Sequence, residues 1–249
     1  MTTAMLSWAA EKTLENTLIS YRKRDLQKLD SQNIIFLQEG TKDQEYMCRY
    51  YGFEPIVSPF NVGIARAYQE LLDASTGEFF LFLENDWKLL ENPYPQILFG
   101  RNLLTADKCD IIRYRHRENP GNPLWTRQFE GREYDRPTHL LDSIHWTNPL
   151  KFPEIYEETL DYFLIDRLGY FEAEEGILPV DHVVTRFYIT SSKNANWTNN
   201  PHMAKTSFLK EHVYPRISGN LEGSLQSWWE KQDFKVAQGE GLFTHERID

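Results

Sequence analysis

The sequence has little cysteine, no sustained apolar run and no excess of basic charge. Its two cysteines, Cys48 and Cys109, among 249 residues match no metal-ligand spacing. So few thiols in a chain this long point to a reducing compartment, and a cytoplasmic setting is expected. No window approaches the roughly 18 apolar residues of a membrane span. The start, Met1 to Trp8, has no basic region and too short an apolar stretch for a signal peptide. Without such a signal, the sequon Asn196-Trp197-Thr198 carries no glycosylation meaning. Lys and Arg number 27 against 37 Asp and Glu, a net charge of −10, which disfavours nucleic acid and anionic membranes as partners. An acidic chain that binds an anionic ligand needs a local cation, either a metal or a few placed Arg and Lys.

What is present suits a packed α/β domain. Hydrophobic residues make up 41% and aromatic residues 14%, enough for a sizeable core. The most informative stretch is Phe79 to Trp87. Five apolar residues, Phe79 to Leu83, end abruptly at Glu84, Asn85 and Asp86. A short continuous apolar run reads as a strand buried on both faces, as in a parallel sheet. Such sheets bind ligands beyond the carboxyl ends of their strands. Two acids at that end suit a hard divalent cation, which in turn suits a diphosphate. The bland alternative is a solvated acidic turn.

The residues before this stretch alternate in period. Strands are predicted over Ala4 to Trp8, Asn33 to Leu37 and Phe53 to Val57. Helices are predicted over Thr13 to Lys23, near Asp43 to Tyr51, and from an Asn61 N-cap through Leu72. The order β-α-β-α-β-α-β argues for a parallel sheet.

The set Asn61-x-Gly63-x-Ala65-Arg66-Ala67, then Thr76-Gly77-Glu78, then an apolar strand ending in acid-x-acid, resembles the nucleotide-sugar half of GT-A glycosyltransferases. The likeness is to their broad family-2-like group and covers roughly residues 1 to 90. It implies a Rossmann-like half, residues 1–117, that holds a nucleoside-diphosphate sugar, and an acceptor-binding half, residues 118–249. It also implies Mn²⁺ or Mg²⁺ at the acid-x-acid motif. The family usually opens that motif with Asp, whereas this chain has Glu84. Asp86 is therefore the primary ligand, with Glu84 on metal or ribose and Asn85 beside them. Gly63 would let backbone approach the phosphates at a helix start. Arg66 would add a charged contact; the alternative is a solvated helix residue. Glu39 resembles the family acid that meets the nucleobase, which favours uracil, with Ser7 and Trp8 flanking the base.

Further on, a helix is predicted over Pro93 to Leu104 and a strand over Asp110 to Arg115, with Arg113 and Arg115 on one face. A long loop covers 117 to 137, a strand His139 to Trp146, and a helix Tyr156 to Leu168. Trp146 and Trp197 are candidates for stacking on a sugar face; each also reads as a core residue. The segment ending Asn200-Pro201 resembles a family segment that leads to a short helix, here Thr206 to Val213. Leu221, Leu225, Trp228 and Trp229 share the apolar face of a helix capped by Asn220. Inverting GT-A enzymes place a general base at such a helix start, which makes Glu222 the candidate. Phe234 to Ala237 reads as a strand, followed by a loop at Gly239 to Gly241. The late His245 resembles a third metal ligand.

These readings converge on a metal-dependent transferase moving a sugar from a UDP-sugar to a glycan or other hydroxyl acceptor, with inversion favoured. One alternative is a sugar-1-phosphate nucleotidyltransferase. It is disfavoured because no glycine precedes Gly40, leaving no N-terminal Gly-rich loop. The other is a non-catalytic sugar-binding module.

Overall fold

The computed structural model describes residues 1–29, 31–116, 119, 121, 163–168, 171–173, 176–178, 184–193 and 195–249. The first half alternates as expected. Strands β1 (Thr2–Trp8), β2 (Gln32–Gln38), β3 (Glu54–Ser58) and β4 (Phe79–Glu84) are separated by helices α1 (Glu11–Lys23), α2 (Lys42–Tyr50) and α3 (Gly63–Ala74). After β4 come β5 (Trp87–Leu89), helix α4 (Pro93–Thr105) and β6 (Ile111–Arg115). The described remainder holds β7 (Phe163–Leu168), β8 (Phe171–Ala173), β9 (Gly176–Leu178), β10 (Val184–Ser191), β11 (His202–Lys205), helix α5 (Leu221–Trp229) and β12 (Lys235–His245).

Local sequence explains several boundaries. Thr41 and Gln44 form a reciprocal capping box at the start of α2. Asn92 caps α4, which has Pro at its first turn. Asn220 Oδ1 accepts from Gly223 N at 3.0 Å and caps α5. In β4, alternate residues face opposite layers. Phe79, Leu81 and Leu83 pack into one apolar cluster with Leu14, Leu18 and Ile97. Phe80 and Phe82 pack into another with Tyr68, Trp197 and Trp229. Burial on both faces, at roughly 1.5–3 kcal/mol per large apolar side chain, is why the run reads continuously apolar.

Among the described residues, ten strands form one sheet. Its path is β3-β2-β1-β4-β11-β6-β12-β10-β7, with β5 paired to β12. The pairs β3·β2, β2·β1 and β1·β4 are parallel. β11 is antiparallel to both β4 and β6, and β6 is parallel to β12. Hence β4, β6 and β12 all run the same way. The ends of β1, β2, β3, β4, β6 and β12, together with the start of β11, emerge on one edge.

Three expectations are corrected. Phe163–Leu168 is a strand paired to β10, where a helix was expected; cross-strand pairing overrides local helical spacing there. Gly239 to Gly241 is not a loop between strands but lies inside the single strand β12, where a register shift against β6 falls between Gln238 and Phe243. A four-residue strand, β11, intervenes between Pro201 and the expected short helix, which is present over Thr206–Phe208 and Leu209–Val213. The expected strand His139 to Trp146, nearly all of the 117 to 137 loop, and Trp146 lie outside the described residues.

Candidate functional site

The common edge gathers most of the sequence candidates. Glu84 closes β4, and Asp86 follows two residues on. His245 closes β12, and the β5–β12 ladder sets it opposite Trp87. His245 Nε2 lies 3.0 Å from Asp86 Oδ2, and the Glu246 amide donates to the Asp86 carbonyl at 2.8 Å. Asp86 Oδ1 and His245 Nδ1 are buried and find no hydrogen-bond partner among the described residues. A carboxylate and an imidazole brought together by that contact, each keeping a buried polar atom without a partner among the described residues, are ligand types that suit a hard or borderline divalent cation. No three His, Cys, Asp or Glu side chains among the described residues converge as a cation set. Glu84, Asp86 and His245 are not grouped tightly enough to form such a set by themselves.

Glu84 instead belongs to a group of acids. Burial pushes its carboxyl up to about 8, and the charges of Asp86 and then Glu222 add to the shift. Glu222, in the first turn of α5, is thus within electrostatic reach of the β4 tip. Glu222 Oε1 accepts from the Asn199 amide at 2.9 Å and the Thr198 hydroxyl at 3.2 Å. Both donors precede β11, whose start lies on the same edge. That anchorage orients an exposed carboxylate, as a general base requires.

At the other end of the edge, Trp8 Nε1 donates to Glu39 Oε2 at 2.8 Å. Trp8 is 47% exposed, so its ring face is open. Glu39 sits at φ 55°, with its amide bound to the Ser58 carbonyl at 2.8 Å. Ser7 is buried in the sheet beneath. Asn61 Oδ1 accepts from Gly63 N at 2.9 Å in a turn that leads into α3. The cap position itself falls on Val62. Gly63 has φ +78° with no atom within 4 Å of where a Cβ would lie. The backbone there needs glycine and opens onto free space. Asn85 is buried beside β1, with its amide bound to the Leu6 carbonyl.

Other candidates have partners of their own. Arg66 Nη2 pairs with Glu70 Oε1 at 2.5 Å along the exposed side of α3, the i,i+4 geometry of a surface helix pair. Trp197 is buried among His202 and Trp229 and presents no face to a sugar. Arg113 is buried and donates to the Asn196 carbonyl; Arg115 lies over the Trp87 ring at 5.3 Å. Neither forms a solvated face.

Sequence reasoning passed over three neighbours of the site. Trp87 packs its ring 4.9 Å from that of His245; its place next to the acid tip was a usable signal. Gly121 bridges to the His245 backbone, and at φ +75° a Cβ on it would fall 2.0 Å from the His245 carbonyl oxygen. Asp249 binds the start of α1 from the far end of the sequence, which no local pattern announces.

No protein-family model matches the chain, and no curated protein matches it. Solved structures do. S. aureus TarS 1–349 aligns with 99% of this chain and 60% of its own, at 10% identity and TM-score 0.55. The same protein in complex with UDP-GlcNAc gives TM-score 0.55 at 11% identity, over 100% of this chain and 59% of that one. The glucosyl-3-phosphoglycerate synthase from Mycobacterium tuberculosis, in complex with Mn²⁺, UDP and phosphoglyceric acid, gives TM-score 0.50 at 16% identity. That alignment covers 100% of this chain and 72% of the synthase. The chain spans about three-fifths of the length of the TarS structures it matches. These are GT-A-type structures, and this chain has the GT-A fold.

Proposed function

We propose that the chain is a metal-dependent glycosyltransferase that takes a nucleoside-diphosphate sugar, with UDP-sugars favoured, and transfers the sugar to a hydroxyl acceptor with inversion. The observation that carries this reading is the approach of His245 to Asp86 at 3.0 Å on the carboxyl edge of the sheet, each retaining a buried polar atom without a partner among the described residues. Asp86 and His245 would hold Mn²⁺ or Mg²⁺, which supplies positive charge against the leaving diphosphate. Trp8 offers an open aromatic face to the base, and Glu39 an acceptor for an imide N–H. Gly63 and the start of α3 leave room for the phosphates. Asn85 and Glu84 line the floor between base and phosphate.

Glu222 would accept the proton of the acceptor hydroxyl as its oxygen attacks the anomeric carbon. The bond from that carbon to the phosphate oxygen breaks, and the nucleoside diphosphate leaves. Residues 118–249 bring Glu222 to the edge and supply the acceptor side; residues 1–117 supply the donor side.

Calorimetric titration with UDP, GDP and dTDP, with and without Mn²⁺, tests the reading. UDP binding that requires Mn²⁺ is the expected result, followed by Mn²⁺-dependent hydrolysis of UDP-sugars. Glycan binding without any nucleotide binding would instead identify a sugar-binding module.

A further inference from the structure

Helix α1 begins without a cap of its own. Its cap position is Ala10, at φ 52°, with no side-chain cap hydrogen bond, and Ala9 before it has the same left-handed backbone. A capping side chain accepts from the second and third helical amides, here those of Lys12 and Thr13. Both are taken by Asp249. Lys12 N donates to Oδ2 at 2.9 Å, and Thr13 N to Oδ1 at 3.1 Å. The Thr13 hydroxyl donates to Oδ1 at 2.6 Å and accepts from Ile248 N at 3.0 Å. The same segment is fastened again at Glu246, whose Oε1 accepts from Asn16 Nδ2 at 2.7 Å and Lys88 Nζ at 2.9 Å. The residue before Glu246 is His245. The residues before Ala9 and Ala10 end β1 at Trp8.

We infer that Asp249, with Thr13 and Glu246, is a clasp that positions His245 against Asp86 and seats the β1–α1 turn, so that the base side and the phosphate side of the site are set by one contact. Asp249 is a positioning residue in this scheme, because it acts through His245 and Trp8. The inference rests on the reading of Asp86 and His245 as the cation pair. Coupling of this kind is reciprocal. If the clasp favours the cation-competent arrangement, then Mn²⁺ with UDP must tighten the clasp. A cap that only stabilised the helix would respond no more than the rest of the fold, since any ligand of the folded state slows exchange through global opening.

The test uses the full chain, Asp249→Asn and Thr13→Val. Both variants are expected to weaken Mn²⁺-dependent UDP binding at least about fivefold. In the unaltered protein, hydrogen exchange at the Lys12 and Thr13 amides should slow on adding Mn²⁺ and UDP together by more than it does at the amides of α2. That second measurement stands even where a variant does not fold. Unchanged UDP affinity in folded variants, with exchange at those amides slowed no more than in α2, would reduce Asp249 to a helix cap and overturn the inference alone. Failure of the unaltered protein to bind UDP with Mn²⁺ would overturn the cation-site reading and the clasp with it.

Discussion

His245 Nε2 and Asp86 Oδ2 face each other at 3.0 Å because β5 and β12 pair antiparallel through Trp87 and His245. Neither residue's immediate sequence brings it there. Asp86→Ala and His245→Ala should each lower Mn²⁺-dependent UDP affinity by at least ~10–100-fold, the range seen even for the outer partners of metal sites. Circular dichroism should stay that of the parent, since neither side chain belongs to the apolar clusters. Undiminished affinity in Asp86→Ala would refute the site.

Glu222 is held by Asn199 and Thr198 and so enters the reaction already oriented. Glu222→Gln should reduce turnover by about 10²–10⁴-fold, the usual worth of a general base, with UDP affinity unchanged. Thr198→Val should give a smaller loss in the same parameter. Steady-state kinetics beside calorimetry separates the two quantities. A variant that lost UDP binding and kept its turnover number would remove Glu222 from the role of base.

Glu84 gives a pH dependence of definite sign. Its carboxyl is raised to about 8 by burial, then by Asp86 and Glu222. The folded state keeps a proton that the unfolded chain releases at about 4.3. Stability from this group is therefore full below the unfolded value and is lost as pH rises toward 8. Relative to Glu84→Gln, the metal-free protein should lose on the order of a few kcal/mol between pH 5 and 8. Urea midpoints of the two proteins across that range measure it. A constant difference would show that Glu84 titrates normally.

His202 acts in the opposite direction. It is fully buried in β11, with Tyr68 Oη 3.0 Å from Nε2 and the Asn200 carbonyl 2.9 Å from Nδ1. Burial lowers its pKa to about 4. The unfolded chain takes up a proton at about 6.5 that the folded chain refuses. Stability is then full above the unfolded value and falls as pH drops toward 4, by about 3 kcal/mol. Relative to His202→Gln, the loss should appear in urea midpoints between pH 6.5 and 4. A flat difference would count against a buried neutral imidazole.

The apolar run Phe79 to Leu83 determined a strand buried on both faces, because a strand covered on both sides has no position for a polar residue. The alternation of periods before it determined a parallel half, and the abrupt change at Glu84 marked the edge where ligands bind. Those are local signals, carried by residues close together in the chain. Tertiary structure alone decided that Trp197 packs inside against Trp229 and that β12 runs unbroken through Gly239 and Gly241. It alone brought Glu222 within electrostatic reach of Glu84, His245 onto Asp86 and Asp249 onto the start of α1. Each of these joins residues through strand pairing or helix docking across most of the chain, and spacing along a sequence carries no record of such distances.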